Sequence, residues 1–149
     1  MRVLGIDPGI TGALVILDND EPIEWLLMPT MVVGKHNRVN GSAIARWINH
    51  IKPEMAIMEL VGAMPKQGVT SMFSFGHSAG TVSGVLEALF IPTAMVTPQY
   101  WKKCAGMINK SKDEARSHAI HLWPQWRELD KKGVGQALAD AALIARYGR

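Results

Sequence analysis

Three acidic side chains sit where an acid is least expected. Asp7 follows VLGI and precedes Pro-Gly. Glu59 follows AIM and precedes LVG. Asp140 lies in ALADAALIA, with no other charge from Gly133 to Ala145. A charge buried without a partner costs several kcal/mol, roughly, so each needs a reason. Taken singly, Asp7 could cap a turn and Asp140 could bond at a helix start. Taken together, the three are expected to converge. Converging carboxylates repel one another and stay ionised together only around a cation. Carboxylate oxygens are hard ligands, which points to Mg²⁺ or Mn²⁺. Two such ions roughly 4 Å apart can activate a water and stabilise a leaving oxygen in an in-line displacement.

The elements that must bring the acids together read as follows. RVLGID (2–7) is an apolar run ending on an acid, PGITG (8–12) is a turn, and ALVILD (13–18) is a second run. After Asn19-Asp20 comes PIEWLLM (22–28), which completes an antiparallel meander. Residues 29–40 read as a polar, basic loop. Gly41-Ser42 opens a helix with Ala43, Ile44, Trp47, Ile48 and Ile51 at helical spacing, and Pro53 stops it. EMAIMEL (54–60) is a strand that again ends near an acid. A Gly/Pro loop leads to a long helix, about 71–90, and IPTAMV (91–96) is a fifth strand. Thr97-Pro98 starts a helix over PQYWKKCAG. Ser111 with Glu114 starts the next, as a capping box, and Pro124 ends it. A linker then leads to a final helix over 134–147. This order implies an α/β fold around a five-stranded mixed sheet flanked by helices. The first and fourth strands should be neighbours, with the last helix over their ends.

At 149 residues the chain fits one domain, 1–149, and 48% hydrophobic residues suffice for a core. The lone Cys104 excludes an internal disulfide and finger-type zinc spacings. No apolar run approaches the roughly 18 residues of a membrane span, and Asp7 interrupts any signal core. The expectation is an unprocessed, cytoplasmic protein with no membrane partner. Net charge is +3 from 16 basic and 13 acidic residues. With three acids committed to metal, 16 basic residues face 10 acidic ones, an excess of +6 that favours a phosphate polymer.

At this point the sequence resembles the RuvC family of Holliday junction resolvases, especially its short phage and prophage members, in the RNase H-like superfamily. The likeness spans nearly the whole chain. It is carried by VLGIDPGITG at 3–12, the AIMEL strand ending at 60, MPKQGVTSMFSFGHSAG at 64–80, TPQYWKK at 97–103 and ADAALIARYG at 139–148. The resemblance implies an RNase H-like domain and a divalent-metal-dependent endonuclease. Such an enzyme nicks the opposed strands of a four-way DNA junction symmetrically, as a homodimer in a bacterial host cell. It implies two Mg²⁺ or Mn²⁺ ions held by Asp7, Glu59 and Asp140. The family usually has a fourth acid three or four residues before the last, where this chain has Ala137 and Gln136. Gln136 lies one turn before Asp140 on the same face, so its amide oxygen is the substitute ligand candidate. The resemblance also implies lysines at the scissile phosphate, here Lys102 and Lys112, whose ammonium groups would stabilise transition-state charge. A solvated basic face is the plain alternative for Lys102, Lys103, Lys110 and Lys112.

Lys35, His36 and Arg38 in the basic loop are phosphate-contact candidates, as are Lys66, Lys103 and Lys110. The family's base-stacking aromatic, three residues after the strand-four acid, is replaced by Gly62. Met64, Phe73 or Phe75 could wedge between bases, although core packing is expected for both phenylalanines. Gly76, Gly80 and Gly84 line one face of the long helix, at about 0.8–1.0 kcal/mol each relative to alanine. They imply close approach, either to the chain's own sheet or to the same helix of a partner. His118 and His121 read as surface residues, and Trp101, Trp123 and Trp126 as packing residues.

Other readings stay open. An Asp-x-Gly turn between strands also builds the phosphate loop of actin-like ATPases. Those need two domains and an adenosine motif, so no nucleotide cofactor is expected. A junction-binding module with weak or no cutting is a second alternative, and a nuclease of the same fold acting on flaps or RNA–DNA hybrid is a third.

Overall fold

The computed structural model describes all residues, 1–149. Seven strands and five helices occur in the order β1 (Arg2–Asp7), β2 (Ala13–Asp18), β3 (Glu21–Leu27), β4 (Thr30–Val33), β5 (His36–Val39), α1 (Gly41–Ile51), β6 (Met55–Glu59), α2 (Val69–Ala88), β7 (Thr93–Val96), α3 (Pro98–Ala105), α4 (Lys112–Leu122) and α5 (Val134–Tyr147). The main sheet has the order β3-β2-β1-β6-β7. β1, β2 and β3 pair antiparallel, while β6 runs parallel to both β1 and β7. This is the expected mixed five-stranded sheet, with β1 beside β6.

Alternation along the strands gives each sheet face its own core. Leu4, Ile6, Leu14, Ile16, Ala56 and Met58 face α1 and α2. Val3, Val15, Leu17, Ile57 and Val96 face α3, α4 and α5, with Trp101, Trp123 and Trp126 in the same cluster. α5 is the most enclosed helix, with Leu138, Ala139 and Ala141–Ala145 all buried. Its approach to the sheet requires Gly5, because a methyl there would overlap the Ala141 carbonyl and crowd Ala145. A second close approach folds the β1–β2 turn, where a side chain at Gly12 would strike the Asp7 carbonyl.

The segment expected as a loop over 29–40 is instead a two-stranded hairpin, β4–β5, apart from the main sheet. Thr30-Met-Val-Val is a short β-prone run, and Gly34-Lys35 turns it with Gly34 at φ +62°. A Gly-x pair is a favoured two-residue hairpin turn. The long helix starts two residues earlier than expected, at Val69, and ends at Ala88. The linker before α5 contains a 3-10 turn, Arg127–Asp130, whose Leu129 is buried. The caps agree with the sequence: Thr97 accepts from Tyr100 N and Ser111 from Glu114 N.

Gly76, Gly80 and Gly84 do not meet the chain's own sheet. A side chain added at any of them would meet nothing within 4 Å. The glycine face of α2 is open, while Val82 and Leu86 on the other side enter the core.

Candidate active site and nucleic-acid interface

Asp7 and Glu59 end adjacent parallel strands. The β1–β6 register runs from Val3–Met55 to Ile6–Met58, so Asp7 and Glu59 follow one step beyond. They share the sheet face of Gly5 and Ile57, the face that α5 covers. Because Ala141 stands on Gly5, the preceding Asp140 comes to the same end of the sheet. Two independent periodicities, two residues in strands and 3.6 in the helix, thus deliver three acids to one place.

Their electrostatics agree. The Asp7 carboxyl is pushed up to about 7, first by burial and then by the charges of Asp140 and Glu59, against the lowering effect of Lys112 and Lys102. Asp140 is pushed up to about 6, mainly by burial, with Lys112 opposing and Glu59 adding to the rise. The acids and both lysines therefore form one electrostatic cluster. Lys102 lies on α3, its Nζ 5.5 Å from the centroid of the Trp101 ring. Lys112 begins α4.

The donor set is carboxylate oxygen throughout, which fits a hard divalent cation in chemistry. As the side chains stand, no group of three acidic, histidine or cysteine residues is close enough to close an ion cage. Repulsion between uncompensated carboxylates opposes closer approach. In addition, Glu59 is engaged elsewhere: its Oε2 accepts a 2.7 Å hydrogen bond from Trp101 Nε1. Trp101 is packed in the core as expected, and its link to Glu59, 42 residues away, has no signal in the sequence. Gln136 directs its amide nitrogen to Asp113 Oδ1 at 2.7 Å, tying α5 to α4.

The other candidates divide into two groups. Lys35, His36 and Arg38 come together in a cleft with Phe73. Lys66, Lys103 and Lys110 are exposed, and Lys110 is paired with Glu114 at 3.6 Å. Phe73 is not a core residue; it is 64% exposed. Met64 is exposed too, whereas Phe75 is half-buried beside Gly9. His118 is also less free than expected. It is half-buried, 3.0 Å from the Tyr147 hydroxyl, and burial lowers its pKa.

A mixed five-stranded sheet in this order, with acids at the ends of its two central parallel-paired strands and on the last helix, is the RNase H-like fold. No family model matches the sequence. The crossover junction endodeoxyribonuclease RuvC of Paenarthrobacter aurescens strain TC1 is 24% identical over 173 aligned residues, covering 96% of this chain and 89% of that protein. The structure of Thermus thermophilus RuvC in complex with a Holliday junction substrate superposes with a TM-score of 0.67 at 17% identity, over 97% of this chain and 90% of that one. A second Thermus thermophilus RuvC structure gives 0.60 at 18% identity, over 97% and 91%. The chain is RuvC-like in fold along almost its entire length.

No helix is long and apolar enough to cross a membrane.

Proposed function

We propose that this chain is a Holliday junction resolvase, a divalent-metal-dependent endodeoxyribonuclease that nicks four-way DNA junctions symmetrically. The observation that carries the reading is the convergence of Asp7, Glu59 and Asp140 at one sheet end, with Asp7 and Asp140 held at about 7 and about 6. Similarity to RuvC proteins along the chain supports the junction as substrate.

Asp7, Asp140 and Glu59 would hold Mg²⁺ or Mn²⁺, two ions in the full site. A bound pair of such ions supplies an activated water and charge neutralisation at phosphorus. Trp101 holds one oxygen of Glu59, so the other would be the one to meet a metal. Lys102 and Lys112 bring positive charge to the same cluster, where it opposes the negative charge that develops on a phosphate in displacement. Lys66 and Lys103, both exposed, contribute general phosphate attraction.

Two opposed nicks need two copies of this site, and the partner we propose is a second copy of this chain. The open face of Gly76, Gly80 and Gly84 supports close helix approach there.

One observation favours a second reading, junction binding with little cutting. The position before Asp140 that would take a fourth ligand carries Gln136, whose amide is bound to Asp113. A single assay separates the two. Synthetic four-way junction, flap, RNA–DNA hybrid and duplex are incubated with the protein in Mg²⁺ or Mn²⁺. Paired symmetric nicks in the junction, lost in Asp7→Asn with binding near normal, support the resolvase. Binding without nicks supports the second reading, and cutting of flap or hybrid in preference would replace both.

A further inference from the structure

One open cleft of the molecule is lined by none of the three acids. It has a volume of about 560 Å³ and opens between the β4–β5 hairpin and the start of α2, floored by Ile10 of the β1–β2 turn. Lys35 and Arg38 line it on the hairpin side, with Val69, Thr70 and Phe73 opposite. The Arg38 guanidinium lies 5.6 Å from the centroid of the Phe73 ring, which is otherwise open to solvent. No acid lines the cleft, and neither Lys35 nor Arg38 is in a salt bridge.

A second groove, about 420 Å³, adjoins it and shares Ile10, Thr70 and Ser74. This one is lined by Gly9 and by polar Thr11, Gln67 and Ser71, again without an acid. Gly9 is two residues beyond Asp7. The two grooves share a wall and run from Gly9 of the β1–β2 turn, past hydroxyls and an amide, to a basic pocket with an exposed aromatic ring.

We infer that this cleft seats one unstacked nucleotide of a DNA strand, its base against Phe73 and its phosphates on Lys35 and Arg38. The chemistry selects that occupant. Two unpaired cations at a solvent-open cleft attract phosphate. An aromatic ring can stack only on a base whose face is free, so a base inside a duplex is excluded and one at a branch or in a single strand is accepted. The polar groove carries the backbone between this base and the carboxylates. The hairpin is therefore half of a nucleotide clamp, set apart from the metal-binding residues and from the Gly62 position. The inference rests on the resolvase reading only for where such a base comes from.

The test uses full-length Asp7→Asn protein, so that substrate survives, and four-way junctions carrying 5-iodouracil at single positions near the branch point. Irradiation followed by peptide mass spectrometry should place the cross-link on the peptide containing Phe73. In parallel, fluorescence anisotropy measures affinity for the junction, an oligo-dT strand and a duplex. Phe73→Leu and Arg38→Ala should each weaken strand and junction binding about ten-fold and duplex binding by much less. Cross-links confined to other peptides, or equal affinity of Phe73→Leu for the strand, would overturn the clamp. Junction cutting by the unmodified protein is scored separately. Normal cutting with no Phe73 effect removes the clamp and leaves the resolvase. Oligo-dT binding that falls with Phe73→Leu, in a protein that never cuts junctions, does the reverse.

Discussion

Trp101 holds Glu59. The indole, 1% exposed and packed under α5's face of the sheet, donates its N–H to Glu59 Oε2 at 2.7 Å from 42 residues away. A tryptophan N–H can only donate and a carboxylate only accept, so the bond restrains the orientation of the Glu59 carboxylate. Groups that orient a ligand are worth about 10–100-fold in metal affinity or activity. Trp101→Phe keeps most of the packing and removes the bond. We expect junction cutting to fall by about that factor and the Mn²⁺ concentration for half-maximal cutting to rise. Isothermal titration with Mn²⁺ checks the affinity directly, and an unchanged isotherm would remove the positioning role.

Asp7 should be destabilising when no cation is present. Its folded pKa, about 7, lies above the ordinary 3.8. The native state therefore binds more protons than the unfolded chain between those values. Stability from this group is complete below about pH 4 and is lost as pH rises through about 7. In EDTA at pH 8, Asp7→Asn should melt higher than the natural sequence by roughly 3–8 °C, for about 1–2 kcal/mol. Added Mg²⁺ should narrow the difference, since it stabilises only the chain that can hold it.

The same two carboxyls set the pH dependence of cutting. Asp140 ionises through about 6 and Asp7 through about 7. At limiting Mg²⁺, activity should climb over this window, because a ligand must lose its proton before it holds metal. Saturating Mg²⁺ should move the climb to lower pH. A flat profile from pH 5.5 to 8 would contradict the site.

Lys112 lowers the pKa of both Asp7 and Asp140. Removing its charge leaves both acids harder to ionise. Lys112→Ala should shift the ascending limb to higher pH and reduce the maximal rate, by about 10-fold or more if its charge faces the displaced phosphate. Lys112→Arg should restore the limb while restoring the rate only partly, since the guanidinium is a different shape. Steady-state cutting at several pH values measures both.

Gly80→Leu separates folding from assembly. Its added side chain meets empty space within the chain. The helix gains roughly 0.8 kcal/mol from replacing glycine, so the melting temperature should hold or rise. If the open face of α2 receives a second copy, sedimentation should show a shift to monomer, and paired nicks should become single ones.

Much of this molecule was readable in the chain, and the reasons are local. Strand alternation in VLGID and AIMEL marks Asp7 and Glu59 as strand-end acids, and the short turns dictate the antiparallel meander. The apolar surroundings of Asp140 mark a helix lying on a sheet. The hairpin over 30–39 is hard to read in the sequence because its strands are four residues each and the second, His36–Val39, is mostly polar. The exposure of Phe73 is not legible in the sequence because α2 carries small and apolar residues on every side, so its periodicity does not say which side faces out.

Partnerships across the fold followed different rules. Trp101 with Glu59, Gln136 with Asp113 and Arg38 with Phe73 join residues 42, 23 and 35 positions apart. Backbone propensity and alternation depend on near neighbours along the chain, so the three acids and the elements that carry them follow from the amino-acid order. Which donor reaches which carboxylate, and which faces stay open, depends on how crossovers dock whole elements. Only the packed structure decides that, because side-chain contact is set by helix-on-sheet approach at places such as Gly5 and not by any spacing in the chain.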